Sequence, residues 1–110
     1  MEAILKHDSK MREKNILKVL ASSHAIEILE ELKRSPLRFS DLDHVCPSRK
    51  TRYLRLRDLE KQGLIIVVPK LEGRRSYTYY ETTRKGSRAV ELVKRLLSIN
   101  QTTQTKFLKQ

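Results

Sequence analysis

A helical pattern bounded by Pro47 and Gly63 is the feature that most constrains the fold of this chain. Ser48 offers a side-chain oxygen that caps a helix start, leucines recur three residues apart, and Gly63 permits the left-handed backbone that ends many helices. Residues 40–46, directly before Pro47, have the pattern of a shorter helix capped by Ser40. The sequence therefore predicts two helices joined by a tight turn.

Two further helices are predicted upstream of this pair. The first begins near Ser9, and the second begins after Ser22 or Ser23 and ends at Pro36. The apolar face of the first helix consists of Ile16, Leu17 and Leu20. Residues 37–39 alternate between apolar and polar side chains, which predicts a very short strand before the third helix.

A β-hairpin and a last helix are predicted downstream. Residues 64–68 are rich in β-branched side chains, residues 72–75 form a glycine-containing turn, and residues 76–82 contain three tyrosines. Thr83 then caps a final helix, which we expect to fray from Asn100 onwards. The apolar face of this helix consists of Ala89, Val90, Val93, Leu96 and Leu97.

Length and composition favour one domain. A chain of 110 residues with 38% hydrophobic residues fills one modest core, which we expect within residues 20–97 of a single domain spanning residues 1–110. The order of predicted elements indicates an α+β, mostly helical fold. That fold is a winged helix-turn-helix, in which the two-stranded β-hairpin forms the wing and helices flank it at both ends.

The charge of the chain indicates a polyanionic partner. The formal net charge is +11, and residues 47–88 alone contain twelve Lys or Arg and four acidic residues, a net +8. This excess covers the second helix of the predicted helix-turn-helix and the wing. Because a basic surface attracts the phosphates of nucleic acid before specific contacts form, we expect double-stranded DNA as the partner.

Several functional classes lack support in the sequence. The single cysteine, Cys46, excludes a disulfide framework or a cysteine-rich zinc site within one chain. With three glycines and no nucleophile or phosphate-binding motif, we predict no enzyme, no cofactor and no obligatory small molecule. No stretch approaches the roughly 18 apolar residues of a membrane span. We expect a cytoplasmic, nucleoid-associated protein in a reducing compartment.

Four stretches of the chain resemble known families of regulators. The stretch LASSHAIEILEEL (residues 20–32) resembles the opening of ArsR-type regulators. The stretches SPLRFSDL (35–42), LRDLEKQGLI (56–65), and GRR with YETTRKG (73–75 and 80–86) resemble the HxlR-type pattern. Together they cover most of residues 20–97 in the expected order.

This resemblance implies a homodimeric transcription regulator, and we predict that it acts as a repressor. Its recognition helix, residues 48–62, is expected in the major groove, and its wing tip, residues 72–76, on the DNA backbone or in the minor groove. The candidate DNA contacts are Ser48, Arg49, Lys50, Thr51, Arg52, Tyr53, Arg55, Arg74 and Arg75. Arginine pairs bidentately with guanine, and Thr51 or Tyr53 adds a hydroxyl contact or packs against a thymine methyl.

The chain departs from the family pattern at two points. Arg52 occupies a position where these families usually have an apolar residue, so either its stem packs inward or the helix is slightly rotated. The cysteine that HxlR-type sensors carry near the N-terminus is absent, and a redox-sensing role is not carried over. A metal site built on His44 and Cys46 with another histidine is a minor hypothesis.

The first and last helices carry more apolar surface than one small core needs, which predicts a two-fold dimer. The candidate interface consists of Ile16, Leu17, Leu20, Val90, Val93 and Leu97. Two alternatives to a specific regulator stay open. A sequence-tolerant architectural protein also suits a charge of +11, and a winged domain can instead bind an acidic protein partner.

Overall fold

The computed structural model of the chain describes residues 16–109, with side chains through residue 99. The predicted cap at Ser9 lies outside the described residues. The elements are α1 (residues 16–21), α2 (Ala25–Arg34), a 3-10 helix η1 (Phe39–Leu42), α3 (Arg49–Lys61), β1 (Ile65–Glu72), β2 (Arg75–Thr82) and α4 (Arg84–Lys109). This order confirms the predicted winged helix-turn-helix, with η1 and α3 as the helix-turn-helix and the β1–β2 hairpin as the wing.

The start of α2 differs from the prediction. Its N-cap is His24, whose φ of 68° lies in the left-handed region and which makes no side-chain cap. The two predicted capping serines bind elsewhere, because the Ser22 hydroxyl donates to the Val19 carbonyl oxygen and Ser23 accepts hydrogen bonds from Arg55. The sharp turn between α1 and α2 therefore depends on the backbone of His24.

The first helix of the helix-turn-helix is shorter than predicted. Residues 40–46 were expected to form one α-helix capped by Ser40, but η1 ends at Leu42 and turns follow it. The cap comes from Asp41, whose Oδ2 accepts the Arg38 backbone N–H at 2.9 Å. Because this carboxylate reaches back three residues, the helix starts earlier than the Ser40 pattern indicated.

Helix α3 has both predicted ends. The Thr51 N–H donates to the Ser48 Oγ at 3.2 Å, which is the side-chain cap predicted at Ser48. At the other end Gly63 has a φ of 74°, and its N–H donates to the Glu60 carbonyl oxygen. The helix is thus fixed at both ends by short-range contacts.

The hairpin is longer than its apolar residues indicated. Strands β1 and β2 pair antiparallel from Ile65 opposite Thr82 to Glu72 opposite Arg75, so that only two residues form the turn. Gly73 supplies the positive φ, 66°, that such a turn requires. The predicted strand at residues 37–39 is a single bridge in which Leu37 pairs with Tyr80.

The core lies where α2, η1, α3, the base of the hairpin and α4 meet. Its fully buried side chains include Ile28, Leu29, Leu42, Cys46, Leu59, Leu64, Ile65 and Val90. Burying a side chain such as leucine or isoleucine contributes about 1.5–3 kcal/mol. Val90 is buried within the core of the chain itself, so it offers no exposed surface to the predicted dimer interface.

Helix α4 begins as predicted and ends later. The Gly86 N–H donates to the Thr83 Oγ1 at 3.0 Å, which is the predicted cap. The helix continues to Lys109, so the expected fraying from Asn100 onwards is not observed. Salt bridges join α4 to α2, from Lys33 to Glu91 and from Lys94 to Glu30, both at 3.6 Å.

Candidate nucleic-acid interface

Helix α3 has one face in the core and one face in solvent. Leu56 and Leu59 are buried, and the side chains on the opposite face are exposed. We call these exposed side chains the outward stripe. It consists of Lys50 and of the residues three, four, seven and eleven positions after it, which are Tyr53, Leu54, Arg57 and Lys61. Three cations and two apolar or aromatic side chains thus share one helix face, with the exposed carboxylate of Glu60 at its edge.

The sequence-based candidates covered only part of this stripe. Lys50 and Tyr53 were among them, whereas Leu54, Arg57 and Lys61 were not. Counting helical intervals from Lys50 would have found all three, because residues seven and eleven apart lie on one face of an α-helix.

The beginning of α3 presents polar groups beside this stripe. Arg49 and Lys50 are exposed, and Thr51 is half-buried. Ser48 is exposed, and its oxygen already accepts the capping hydrogen bond from Thr51. The structure therefore brings these four predicted residues together at one helix end. Their contact with DNA stays a prediction.

Arg52 lies in the core and not on the exposed face of α3. Its side chain is 3% exposed, and its guanidinium donates to the carbonyl oxygens of Cys46, Phe39 and Pro47. The prediction that Arg52 contacts DNA is therefore wrong for this arrangement. Of the two alternatives left by the sequence, the inward-packed stem is the observed one.

Arg55 also binds within the protein. Its Nε donates to the Ser23 carbonyl oxygen at 2.8 Å, and its Nη2 donates to the Ser23 hydroxyl at 3.1 Å. These hydrogen bonds join the middle of α3 to the turn between α1 and α2. Arg55 is half-buried and lies outside the outward stripe, so its predicted DNA contact has less geometric support than those of Arg49 and Lys50.

The wing projects two arginines into solvent. Arg74 lies in the hairpin turn and Arg75 begins β2, and both are exposed. Leu71, beside the turn, is 78% exposed. The wing tip is therefore a basic loop with one apolar side chain.

The wing's own acidic groups are paired within the hairpin. Glu81 lies 3.6 Å from the Nζ of Lys70, which also lies over the ring of Tyr79. Glu72 accepts a hydrogen bond from the Tyr79 hydroxyl, and this bond raises the pKa of Tyr79 above its ordinary value. The pKa of Tyr80 is also raised above its ordinary value, mainly by burial. Glu72 keeps its charge and is exposed beside Arg74 and Arg75, so the tip carries two cations and one anion.

Helix α3 is joined to the start of α4. The Lys85 Nζ donates to the Gln62 carbonyl oxygen at 2.8 Å, and the Thr83 hydroxyl donates to the Gly63 carbonyl oxygen at 2.7 Å. Both acceptors lie at the C-terminal end of α3, where carbonyl groups lack helical partners. The contacts hold the outward stripe in a defined orientation relative to the wing.

Neither a metal site nor a membrane-spanning helix is found among the described residues. Within residues 16–99, no group of three or more His, Cys, Asp or Glu side chains is arranged to hold a metal ion. His44 is exposed and lies 3.5 Å from Glu31, whereas Cys46 is buried. In the same part of the chain, no helix has the length and apolar character needed to cross a membrane.

Solved structures with the same fold are transcription regulators. A MarR-family putative regulator from Enterococcus faecalis V583 matches with a TM-score of 0.70 and 19% identity, covering 89% of this chain and 93% of that chain. A PadR-family regulator from Clostridium difficile R20291 matches with a TM-score of 0.68 and 19% identity, covering 79% and 99%. The reduced form of YodB from B. subtilis matches with a TM-score of 0.68 and 21% identity, covering 77% and 84%.

The family follows from the sequence match. No curated protein matches the chain. Residues 19–107 match the HxlR-like helix-turn-helix family. This range includes the helix-turn-helix, the wing and most of α4. Because this match covers well over half of the chain and agrees with the observed fold, the protein belongs to the HxlR-like helix-turn-helix family of transcription regulators.

Proposed function

We propose that this protein is a sequence-specific regulator that binds double-stranded DNA with α3 in the major groove. The observation that carries the proposal is the outward stripe, a basic and exposed helix face whose opposite face is fixed in the core. The major groove is about 12 Å wide and admits one α-helix. Side chains on the outward stripe are then the groups that reach base edges, with Arg49 and Ser48 near the phosphates.

The wing supplies the second contact in this proposal. Arg74 and Arg75 are exposed at the tip of a hairpin whose base is bonded to the body of the protein through Tyr80. Arginine binds the phosphate backbone and also enters narrow minor grooves. We therefore place the wing tip on the backbone or in the minor groove beside the major-groove site.

We further propose a two-fold homodimer formed by the terminal helices. Leu17 of α1 and Leu96 and Leu97 of α4 are 70%, 68% and 60% exposed, more than expected for large apolar side chains of a monomer. Leu92, 50% exposed, extends this surface. A two-fold dimer would place two recognition helices about 34–36 Å apart, one turn of DNA.

The remaining predicted interface residues have a smaller part in this dimer. Ile16 and Leu20 pack against the core of the same protomer, and Val93 is half-buried. We assign the interface mainly to the exposed leucines. Repression is the proposed outcome of binding, because a dimer covering its operator excludes other proteins from the same DNA.

Selection from random duplex DNA tests the proposal. Purified protein is mixed with a random pool at about 150 mM salt, where nonspecific binding is weak, and the retained DNA is sequenced. Enrichment of a two-fold symmetric motif is the expected result. Equal retention of all sequences would contradict the proposal.

A sequence-tolerant architectural protein is the second candidate. The observation that favours it is the charge of +11 together with two exposed arginines in the wing, since both suit contact with the phosphate backbone. The same selection separates the two candidates, because an architectural protein enriches no motif. A ratio of specific to nonspecific affinity of about 10³ or more would exclude it.

A further inference from the structure

Arg52 bridges the parts of the helix-turn-helix. Its Nε donates to the Cys46 carbonyl oxygen at 2.9 Å, and its Nη1 and Nη2 donate at 3.2 Å to the carbonyl oxygens of Phe39 and Pro47. Phe39 begins η1, Cys46 and Pro47 form the turn, and Arg52 lies in the first turns of α3. One side chain thus contacts every part of the motif.

The arrangement depends on the shape of the guanidinium group. Its planar fork donates in three directions at once, and its carbon lies 4.6 Å from the centre of the Phe39 ring. Among the described residues, no salt bridge involves Arg52, so its buried charge is stabilised by three backbone carbonyl groups and the Phe39 ring. Hydrogen bonds from a charged donor are stronger than those between neutral groups.

We propose that Arg52 is a positioning residue for DNA binding. It holds the turn against η1, so that residues 48–50, at the start of α3, face the DNA in one fixed orientation. The backbone N–H of Arg52 also donates to the Ser48 carbonyl oxygen at 2.9 Å, which links the side-chain contacts directly to the helix start. This inference rests on the proposed function, and it adds a residue that does not touch DNA.

A positioning role differs from a phosphate contact in its salt dependence. A side chain that neutralises a phosphate contributes about 0.9 to the slope of log affinity against log salt concentration. Arg52 is buried, so its loss should weaken binding and leave this slope unchanged. Loss of exposed Arg49, which the proposed function places near the phosphates, should reduce the slope by about 0.9 for each copy of the chain that is bound.

Cys46 reports on the turn without any DNA. It is the single cysteine of the chain and is fully buried, and its carbonyl group accepts the shortest of the three Arg52 hydrogen bonds. A thiol reagent therefore modifies it only when the turn opens. The rate of modification under native conditions measures how firmly Arg52 holds the turn.

The experiment compares the wild-type protein with three variants. Arg52→Met keeps an unbranched stem and removes the charge and the donors, and Arg52→Lys keeps the charge without the fork. Arg95→Ala, on α4, is the control for a lost exposed cation. Thermal unfolding, the rate of Cys46 modification, and affinity for the selected duplex at several salt concentrations are measured for each.

The expected result is specific to positioning. In Arg52→Met, the thiol reagent should modify Cys46 at least about tenfold faster. The variant should also bind DNA about tenfold more weakly, the loss expected from one charge-assisted hydrogen bond. Its salt slope should equal that of the wild type. Arg52→Lys should resemble Arg52→Met, because a retained charge without the fork does not hold three carbonyl groups.

Several outcomes would overturn the inference. Unchanged affinity of a folded Arg52→Met protein would do so. A slope reduced by about 0.9 for each bound copy would also do so, because it indicates direct phosphate contact. If Arg52→Met fails to fold, Arg52→Lys with wild-type affinity and wild-type Cys46 protection decides against it. If the wild type selects no DNA motif, the proposed function fails, and Cys46 modification still tests whether Arg52 holds the turn.

Discussion

Leu37 and Tyr80 exchange two backbone hydrogen bonds, from the Leu37 N–H at 3.1 Å and from the Tyr80 N–H at 2.8 Å. Leu37 lies between α2 and η1, and Tyr80 lies in β2. This pair therefore bonds the wing to the segment that leads into the helix-turn-helix. The wing is fixed relative to α3 from this side and, through Thr83 and Lys85, from the start of α4.

Replacing Leu37 by proline should loosen the wing. Leu37→Pro removes the N–H that donates a hydrogen bond to the Tyr80 carbonyl oxygen. Leu37→Ala keeps both backbone hydrogen bonds. In urea unfolding we expect Leu37→Pro to be about 1–3 kcal/mol less stable than Leu37→Ala, the cost of an unsatisfied acceptor. Equal stabilities would show that the bridge contributes nothing measurable.

Gly86 should not tolerate a side chain. A Cβ at this position would overlap the Leu64 carbonyl oxygen and contact the Thr82 hydroxyl. Because the obstruction is backbone, Gly86→Ala must displace α4 from the hairpin base, and we expect a loss of about 1–3 kcal/mol or more in unfolding free energy. Ser87→Ala is the matched control in the same helical turn. A Gly86→Ala protein as stable as this control would disprove the close approach.

The Tyr79 hydroxyl should ionise at a higher pH than that of a free tyrosine. Its hydrogen bond to Glu72 favours the neutral phenol and raises its pKa in the folded state. The stability from this group is therefore fully present below pH of about 10 and is lost as the pH rises through the raised pKa. Ring-carbon NMR shifts of labelled tyrosine measure this titration.

Glu72→Gln provides the test of this cause. The variant should lower the pKa of Tyr79 towards its ordinary value, because the acceptor loses its charge. Tyr80 is the internal control, since burial is the main cause of its raised pKa and Glu72 is not among the causes. A pKa of Tyr79 that does not change in Glu72→Gln would argue against this hydrogen bond.

A charged residue in the exposed leucine surface of α4 should prevent dimerisation. Leu96→Asp would bury a carboxylate at the proposed interface. We expect the dissociation constant of the dimer to rise at least about a hundredfold. Leu71→Asp, at the wing tip, replaces a leucine that is 78% exposed, against 68% for Leu96, and should remain dimeric. Sedimentation equilibrium gives both masses. A monomeric wild type at micromolar concentration would refute the dimer.

The sequence predicted the features that depend on short-range contacts. The caps at Ser48 and Thr83 join residues three apart, and the positive φ of Gly63 and Gly73 is a property of glycine itself. Such contacts depend little on the rest of the fold. The order of elements followed from these boundaries, whereas the family resemblance rests on stretches of residues 20–86.

The errors at Arg52 and Val90 concern contacts between distant residues, whereas the error at η1 is local. The sequence places Arg52 on a basic helix, but only the packing of η1 against α3 shows the three carbonyl groups that surround it. Val90 belongs to an apolar face, and only the hairpin and α2 decide which side of that face is buried. The capping carboxylate of Asp41 competed with the Ser40 pattern within one short segment.

The most direct test of the central claim, that α3 reads the major groove, uses altered bases in the selected duplex. Guanine analogues that lack the N7 acceptor change only the major groove, and inosine in place of guanine removes the minor-groove amino group. We expect the first change to weaken wild-type binding about tenfold within each half-site, and to have less effect on Lys50→Ala, while inosine there has little effect. Full affinity without the N7 acceptors, combined with weaker binding to inosine, would contradict the account.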